Sequence, residues 1–301
     1  MSPRIAIVTS EPGRPFDDDL PPLTAALERL GATVDAVDWD DAAADWSSFD
    51  LAVIRSTWDY TQRHDEYLDW TRRCAAATRL VNDPAIVAWN SDKRYLRDLV
   101  DGGVNVVATS FIGPGDSIDL PSGVEFVVKP TVSAGSRDTM RYVADDHAPA
   151  VAQIEALVAS GRTVMVQPYQ AAVDELGETA LLYFGGEFSH AIRKAPLLVA
   201  GQDSTRALFA EEIITPAEAQ RTQLDLAERC LAVLPGIAAL AGVPLPLPYA
   251  RVDVLVDNDG DVAVLELELV EPSLFFGFAD EPGGAEAAGR FARVLVGMAT
   301  A

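Results

Sequence analysis

Short β-branched runs alternate with amphipathic stretches through the first third of the chain. Arg4–Thr9 (RIAIVT) and Leu51–Ile54 (LAVI) read as buried strands, with a third strand over 33–37. Residues 20–30 (LPPLTAALERL) place apolar positions at helical spacing and stop at Gly31; 66–78 is again helical, and 80–82 is a short strand before Pro84. Strand, helix, strand, helix in this order predicts a parallel α/β unit. The pattern changes near Ser91. Residues 91–100 (SDKRYLRDLV) predict a helix ending at Gly102-Gly103, and strands at 125–129 and 163–167 flank a Gly/Ser-rich turn. Apolar runs at 179–184 and 187–192, joined by Gly185-Gly186, signal a hairpin; Tyr249–Val256 and 261–269 signal another across Asn258-Asp259-Gly260. Residues 216–240 read as one long helix and 283–299 as a closing helix. The fold class expected is therefore α/β followed by α+β, with antiparallel sheets after the parallel unit.

Length and charge narrow the picture. A chain of 301 residues suits two domains or one large one and needs no disulfide or structural metal to hold a core. With 23 Lys and Arg against 46 Asp and Glu, the net charge is −23, which repels nucleic acid and anionic lipid. Cys74 and Cys230 form no C-x-x-C arrangement, so a disulfide framework and a cysteine zinc site are excluded. The apolar start is broken at Glu11, Pro12 and Gly13, too soon for a signal peptide, and no run approaches the ~20 residues of a membrane span. A cytoplasmic protein with neither nucleic-acid nor membrane partners is expected.

In parallel α/β sheets, ligands sit beyond the carboxyl ends of the strands. Here those ends carry Ser10-Glu11 and the run Arg55-Ser56-Thr57-Trp58-Asp59-Tyr60. That run joins a cation, hydroxyls, aromatics and an acid; it is either a substrate contact or a packed loop with Trp58 and Tyr60 in the core. On the C-terminal hairpin, residues two apart face the same way, so Arg251 pairs with Asp253 and Glu266 with Glu268. Antiparallel strands let both pairs share a face. Three carboxylates converging there need a cation, and hard oxygens suit Mg²⁺; the alternative is a solvated face of an alternating strand. Lysines are scarce: Lys93, Lys129 and Lys194. Lys129 ends a strand and precedes Thr131-Val132-Ser133-Ala134-Gly135-Ser136, a small-residue loop that suits phosphate or an ordinary turn. Neither G-x-x-x-x-G-K-[ST] nor G-x-G-x-x-G occurs. His190 leads towards Arg193, with either a site or a structural role open to it. Ser273, after Glu271-Pro272, suits a substrate carboxylate or a turn, and Asp17-Asp18-Asp19 reads as a solvated acidic face.

Taken in order, these motifs resemble the ATP-grasp superfamily of carboxylate–amine ligases, which includes glutathione synthetase, D-alanine–D-alanine ligase and the ribosomal-protein glutamate ligases. The resemblance spans about residues 88–275. It implies an N-terminal α/β substrate domain (1–88), an ATP-grasp central lobe (89–168) and a C-terminal lobe with the metal site (169–301). It implies that Lys93 and Lys129 hold nucleotide phosphates while Ser133, Gly135 and Ser136 lie in a loop closing over the γ-phosphate. Gln167, Pro168 and Tyr169 resemble the hinge framing adenine, and Glu178, with Glu175, the acid gripping the ribose. Arg193 and Lys194 resemble further phosphate or intermediate contacts, and Arg251 the arginine that steadies the acyl phosphate. Asp253, Glu266 and Glu268 resemble ligands of two Mg²⁺ ions, with Mn²⁺ as the alternative. An amino-acid-like substrate would then lie among Ser10, Glu11, Arg55, Thr57, Trp58, Asp59, Tyr60 and Ser273.

Two departures stand out. The family's last metal ligand is usually Asn, where this chain has Glu268. Residues 196–209 follow no family pattern; Asp203, Ser204 and Arg206 are their polar candidates for a substrate loop, against an ordinary surface loop. IRSTWDY and ELELVEPSLFF resemble the branch whose cyclo-ligase closes O-ureido-D-serine to D-cycloserine. The function expected is an ATP-dependent ligase making an acyl phosphate for attack by an amine, acting on a small molecule, with a homodimer allowed. The alternatives are a dipeptide or glutathione-type ligase, a small-molecule kinase, and a non-catalytic nucleotide-binding regulator.

Overall fold

The structure is a computed structural model describing residues 2–145, 147–201, 212–279 and 284–301. Asp203, Ser204, Arg206 and the start of the closing helix at Gly283 lie outside the described residues. The chain runs β1 (Arg4–Thr9), α1 (Leu20–Arg29), β2 (Thr33–Asp38), β3 (Leu51–Ile54), α2 (His64–Ala77), β4 (Leu80–Val81), α3 (Pro84–Asn90) and α4 (Leu96–Asp101). It continues through β5 (Ser110–Ile112), β6 (Phe126–Pro130), β7 (Met140–Tyr142), α5 (His147–Ala159), β8 (Val164–Pro168), α6 (Val173–Leu176), β9 (Glu178–Phe184) and β10 (Glu187–Lys194). The last described elements are β11 (Ile214–Ala217), α7 (Arg221–Ala232), β12 (Tyr249–Val256), β13 (Val262–Glu268) and α8 (Ala285–Ala299). No helix of the described residues is long and apolar enough to cross a membrane.

Three sheets form. The first, β2-β1-β3-β4, is all parallel, as the alternation of strands and helices predicts. Its strands are apolar on both faces: Ile5, Ile7, Leu51 and Val53 pack with Leu23 and Leu27 of α1, while Ala6, Val8, Ala52 and Ile54 pack with Tyr67 and Trp70 of α2. A parallel sheet covered on both sides needs this continuous apolar run. The second sheet, β5-β8-β6-β7, and the third, β11-β10-β9-β12-β13, are antiparallel. Alternate residues of the third sheet serve opposite surroundings. Leu181, Tyr183, Ala250, Val252 and Val254 pack with α7, whereas Ala180, Leu182, Phe184 and Tyr249 share a core with the first sheet, α1 and α8. Phe291 of α8 stacks on Phe184 at 4.9 Å and meets Tyr249 edge-on at 5.8 Å. Helix α8 thereby glues the parallel sheet to the antiparallel one.

The two hairpins fall where the glycine signals place them. The single helix expected over 216–240 does not form. Pro216 lies in edge strand β11, Gln220 and Gln223 make a capping box that starts α7 at Arg221, and α7 ends before Pro235. Two 3₁₀ turns, Leu234–Gly236 and Ala238–Leu240, follow, since proline has no N–H to continue the ladder. The helix expected over 91–100 is likewise a 3₁₀ turn at Lys93–Tyr95 leading into α4, capped by the Asp92 carboxylate on the Arg94 N–H. Strands β5, β7 and β11 and helices α3, α5 and α6 are additions to the expected elements.

Leu182 is fully buried at the centre of β9, between the first sheet and α8. Leu182→Ala is expected to lower stability by about 2–5 kcal/mol. The check is a urea titration with the denaturant slope unchanged; a shift below ~1 kcal/mol would deny this core its joining role.

Candidate active site

Strand register builds the centre of the site. In the β12–β13 ladder Arg251 lies opposite Glu268 and Asp253 opposite Glu266, so all four share the face turned towards the first sheet. A bulge just past Asp253 shifts the register by one residue, a common device beside active sites. The face opens into a cavity of about 970 Å³ lined by strands of the second and third sheets and by the loops after β1 and β3. Arg251 grips Asp253 with two hydrogen bonds, 2.8 Å from Nε to Oδ1 and 3.0 Å from Nη2 to Oδ2, and also meets Glu268. Lys194 Nζ donates to Asp253 Oδ2 at 2.7 Å, and Lys93 Nζ lies 3.0 Å from Glu266 Oε1.

These contacts set the ionisation. Burial opposes the Asp253 charge, but Arg251 and Lys194 outweigh it and hold the carboxyl down at about 2. Glu266 is likewise held low against burial by Lys93 and Lys129. For Glu268, burial and two acidic neighbours, Glu266 and Asp253, outweigh Arg251 and Lys194, and the carboxyl rises to about 7. Lys129 is shifted down by burial. The expectation that the three carboxylates need an added cation is thus met in part by the chain's own lysines and arginine. Among the described residues no group of three or more carboxylate, imidazole or thiol side chains is gathered to hold a metal unaided. The donor set still fits Mg²⁺, which usually takes one or two carboxylates and completes its shell with water and phosphate.

Around this centre the cavity gathers Lys129, Ser133, Gly135, Ser136, Gln167, Pro168, Tyr169, Glu178, Trp58, Tyr60 and Ser273. The Lys93 ammonium also donates to the Ser133 carbonyl at 2.7 Å, tying the small-residue loop to Glu266. Gln167 donates to Thr109 Oγ1 at 2.8 Å. The Tyr169 hydroxyl donates to Asp174 at 2.6 Å, and the Arg141 guanidinium covers its ring at 3.4 Å. Glu178 pairs with Lys194 across the β9–β10 ladder and is pushed up to about 6 by burial. Gly177 allows that start: its φ is +68°, and a Cβ there would lie 2.3 Å from the Lys194 carbonyl oxygen.

Several expected residues do not line the cavity. Arg193 is exposed, because its neighbour Lys194 takes the inward face and strand side chains alternate. Glu175 is exposed on α6, and Glu11 is exposed beyond β1. Ser10 is buried, its hydroxyl on the Ser56 carbonyl at 3.0 Å, and Thr57 is spent on the Tyr67 hydroxyl at 2.8 Å. Asp59 accepts from Trp39 Nε1 at 3.1 Å. Arg55, 1% exposed, donates to the Pro272 carbonyl at 2.7 Å. Of the polar-aromatic run only Trp58 and Tyr60 reach the cavity, while the others hold the loop in place. His190 is structural, its ring 2.9 Å from the Leu274 carbonyl.

Other lining residues fell outside the expected set: Phe16, Asp17, Asp18, Asp19, Glu271 and Phe275 among them. The triple aspartate is not a solvated face. Asp17 and Asp19 are each 6% exposed, and the Asp19 carboxylate accepts the backbone N–H groups of Leu274, Phe275 and Phe276. Glu271 is buried, accepts the Tyr60 hydroxyl and is raised to about 8 by burial and then by Glu268.

One parallel and two antiparallel sheets, with a cavity lined by lysines and carboxylates, make up the fold of an ATP-grasp ligase. The fold matches ATP-grasp ligase PsnB, complexed with its minimal precursor, at TM-score 0.60 with 16% identity over 99% of this chain and 100% of that one. It also matches D-alanine–D-alanine ligase from Bacillus anthracis at TM-score 0.66 with 13% identity over 99% and 98%. The profile of the D-cycloserine synthetase DcsG N-terminal domain matches residues 5–82. The cycloserine biosynthesis protein DcsG of Streptomyces lavendulae is 38% identical over 300 residues, 97% of each chain. The crystal structure of D-cycloserine synthetase DcsG superimposes at TM-score 0.85, with 36% identity over 98% of this chain and 99% of that one. The chain belongs to the DcsG family of ATP-grasp ligases.

Glu178, Glu268 and Glu271 hold protons more tightly in the folded protein than in the unfolded chain, where Glu titrates near 4.5. Between about pH 4.5 and 8 the folded form therefore binds more protons, and stability of the ligand-free protein falls as pH rises. Glu271→Gln removes the highest of the three, so its urea midpoint should decline less between pH 6 and 8 than the parent's. Parallel curves would contradict the burial of Glu271 as an isolated acid.

Proposed function

We propose that this chain is an ATP-dependent ligase that closes O-ureido-D-serine to D-cycloserine. The observation that carries the reading is the 38% identity to cycloserine biosynthesis protein DcsG across 97% of both chains. The arrangement of Arg251, Asp253, Glu266 and Glu268 around one cavity supports it. The substrate carboxyl takes the γ-phosphoryl group of ATP, leaving ADP. The O-bound nitrogen of the ureido group then attacks the acyl phosphate, phosphate departs as the ring C–N bond forms, and water cleaves the carbamoyl group from that nitrogen as carbon dioxide and ammonia.

Each part of the site has a task in this reading. Lys93 and Lys129 neutralise nucleotide phosphates in a protein of net charge −23. Asp253, Glu266 and Glu268 would hold two Mg²⁺ ions, which supply charge neutralisation for phosphoryl transfer. Arg251 faces the developing oxyanion, and Lys194 holds Asp253 in place beneath it. Gln167, Pro168 and Tyr169 frame the base, with Glu178 at the ribose. Residues 131–136 cover the γ-phosphate and exclude water that would hydrolyse the acyl phosphate. The cavity wall of Trp58, Tyr60 and Ser273 receives the substrate, a compact aromatic wall suited to ring closure more than to an extended peptide. In this reading the chain divides at 1–88, 89–168 and 169–301 and works in the cytoplasm, alone or as a homodimer, without nucleic-acid or membrane partners.

Glu266→Gln tests the central assignment. With ATP, Mg²⁺ and O-ureido-D-serine, the parent should release ADP and form D-cycloserine, both followed by chromatography. The variant should keep its native circular dichroism at assay temperature and lose turnover on the order of a thousandfold, the scale of losing a main transition-state charge contact. Near-native ADP release would remove the metal role, and ADP without cycloserine in the parent would favour a kinase.

A further inference from the structure

The substrate in this reading carries a positive charge that the site must accommodate. An amino acid entering with its carboxyl towards Arg251 brings its ammonium group on the adjacent carbon. An ammonium taken into a buried cavity costs several kcal/mol unless a carboxylate receives it. Most acidic side chains at the cavity already have a partner. Asp253 is held by Arg251 and Lys194, Glu266 by Lys93, and Glu268 by Arg251. Asp19 is spent on three backbone N–H groups, with Arg55 3.8 Å away. Glu178 faces Lys194 across its own ladder, with the charge of Lys129 acting on it from the second sheet.

Glu271 is different. It is 9% exposed and lines the cavity; like Asp17, Asp18 and Glu212 of the same lining it makes no ion pair among the described residues, but it alone of these lies on the segment whose backbone meets Arg251. Its one side-chain partner is the hydroxyl of Tyr60, whose ring is stacked on Tyr67 at 4.7 Å. Its backbone is clamped as well: Trp58 Nε1 donates to the Glu271 carbonyl at 3.1 Å, and Arg55 to the next carbonyl at 2.7 Å. Two residues further on, the Ser273 carbonyl accepts from Arg251 at 3.2 Å. A carboxyl without a cation is thus held rigidly on the segment that also touches the oxyanion-facing arginine. Glu268 and Glu266 add negative field on one side, with Lys93 the nearest opposing charge.

We infer that Glu271, positioned by Tyr60 and Trp58, is the substrate-binding residue that receives the α-ammonium group and selects α-amino-acid substrates. The inference rests on the ring-closing reading above and adds to it the group that orients the substrate. With the ammonium at Glu271 and the carboxyl at Arg251, two fixed points on one carbon set which face of the carboxyl meets the γ-phosphate.

The test is a thermodynamic cycle between residue and ligand group. Calorimetry with MgADP present measures binding of O-ureido-D-serine and of its 2-hydroxy counterpart to the parent and to Glu271→Gln. The parent should bind the amino ligand at least about thirtyfold more tightly than the hydroxy ligand, the cost of truncating a buried charge pair. Glu271→Gln should bind both about equally, with MgADP affinity unchanged within about twofold. Tyr60→Phe, which leaves the charge in place, should weaken the amino ligand severalfold and spare the hydroxy ligand; it carries the test if Glu271→Gln fails to fold. Equal preference for the amino ligand in parent and variants overturns the assignment. A parent that binds neither ligand overturns the ring-closing reading itself, a result distinct from unchanged discrimination.

Discussion

One strand ladder carries the chemistry of the cavity: Arg251 opposite Glu268 and Asp253 opposite Glu266, all on the inward face of the third sheet. Buried carboxylates at this spacing would repel one another and pull in water. The structure answers with cations from three separate elements, Lys194 from β10, Arg251 from β12 itself, and Lys93 from the turn before α4. Each ion pair fixes a distance between elements far apart in sequence. The charge arrangement is therefore also a geometric constraint, tying the third sheet to the segment that leads into the second. The uneven pairing matters too. Nearby cations hold the carboxyls of Asp253 and Glu266 low, while burial and acidic neighbours raise that of Glu268 to about 7.

The N-terminal sheet contributes by bracing more than by direct contact. Arg55 and Asp19 reach past their own sheet to the backbone between Pro272 and Phe276. Charged groups buried this deeply are costly unless satisfied, and the backbone groups they hold are themselves at the rim of the site. The loop after β3 thus spends most of its polar side chains on internal hydrogen bonds and presents two aromatic side chains to the cavity. Helix α8 completes the brace by packing one apolar surface across both sheets. Net charge fits this division of labour. In a protein of net charge −23, all three lysines line this one cavity.

Much of the architecture was readable from local pattern. The parallel unit followed from apolar runs alternating with amphipathic helices, and both hairpins from glycines at their turns. The order of Lys93, Lys129, Arg251-x-Asp253 and Glu266-x-Glu268 marked the site because strand alternation is local information. The same rule, applied strictly, separates Lys194 from Arg193. The broken helix after Pro216 was also foreshadowed by Pro235, whose missing N–H outweighs a run of good helix formers.

Sequence alone determined which residues carry charge, which strands pair by hairpin, and which side chains share a strand face, because each depends on neighbours a few positions away. Only the tertiary structure decided what those side chains meet. Arg55, Thr57 and Asp59 look like substrate contacts in a row, yet they are consumed by Pro272, Tyr67 and Trp39, partners up to 217 residues distant. Asp17 and Asp19 read as part of a solvated acidic face, yet the packed chain buries both, and Glu271 with them. Burial and pairing are properties of the packed whole, and a carboxylate's charge, its pKa and its freedom to bind follow from them.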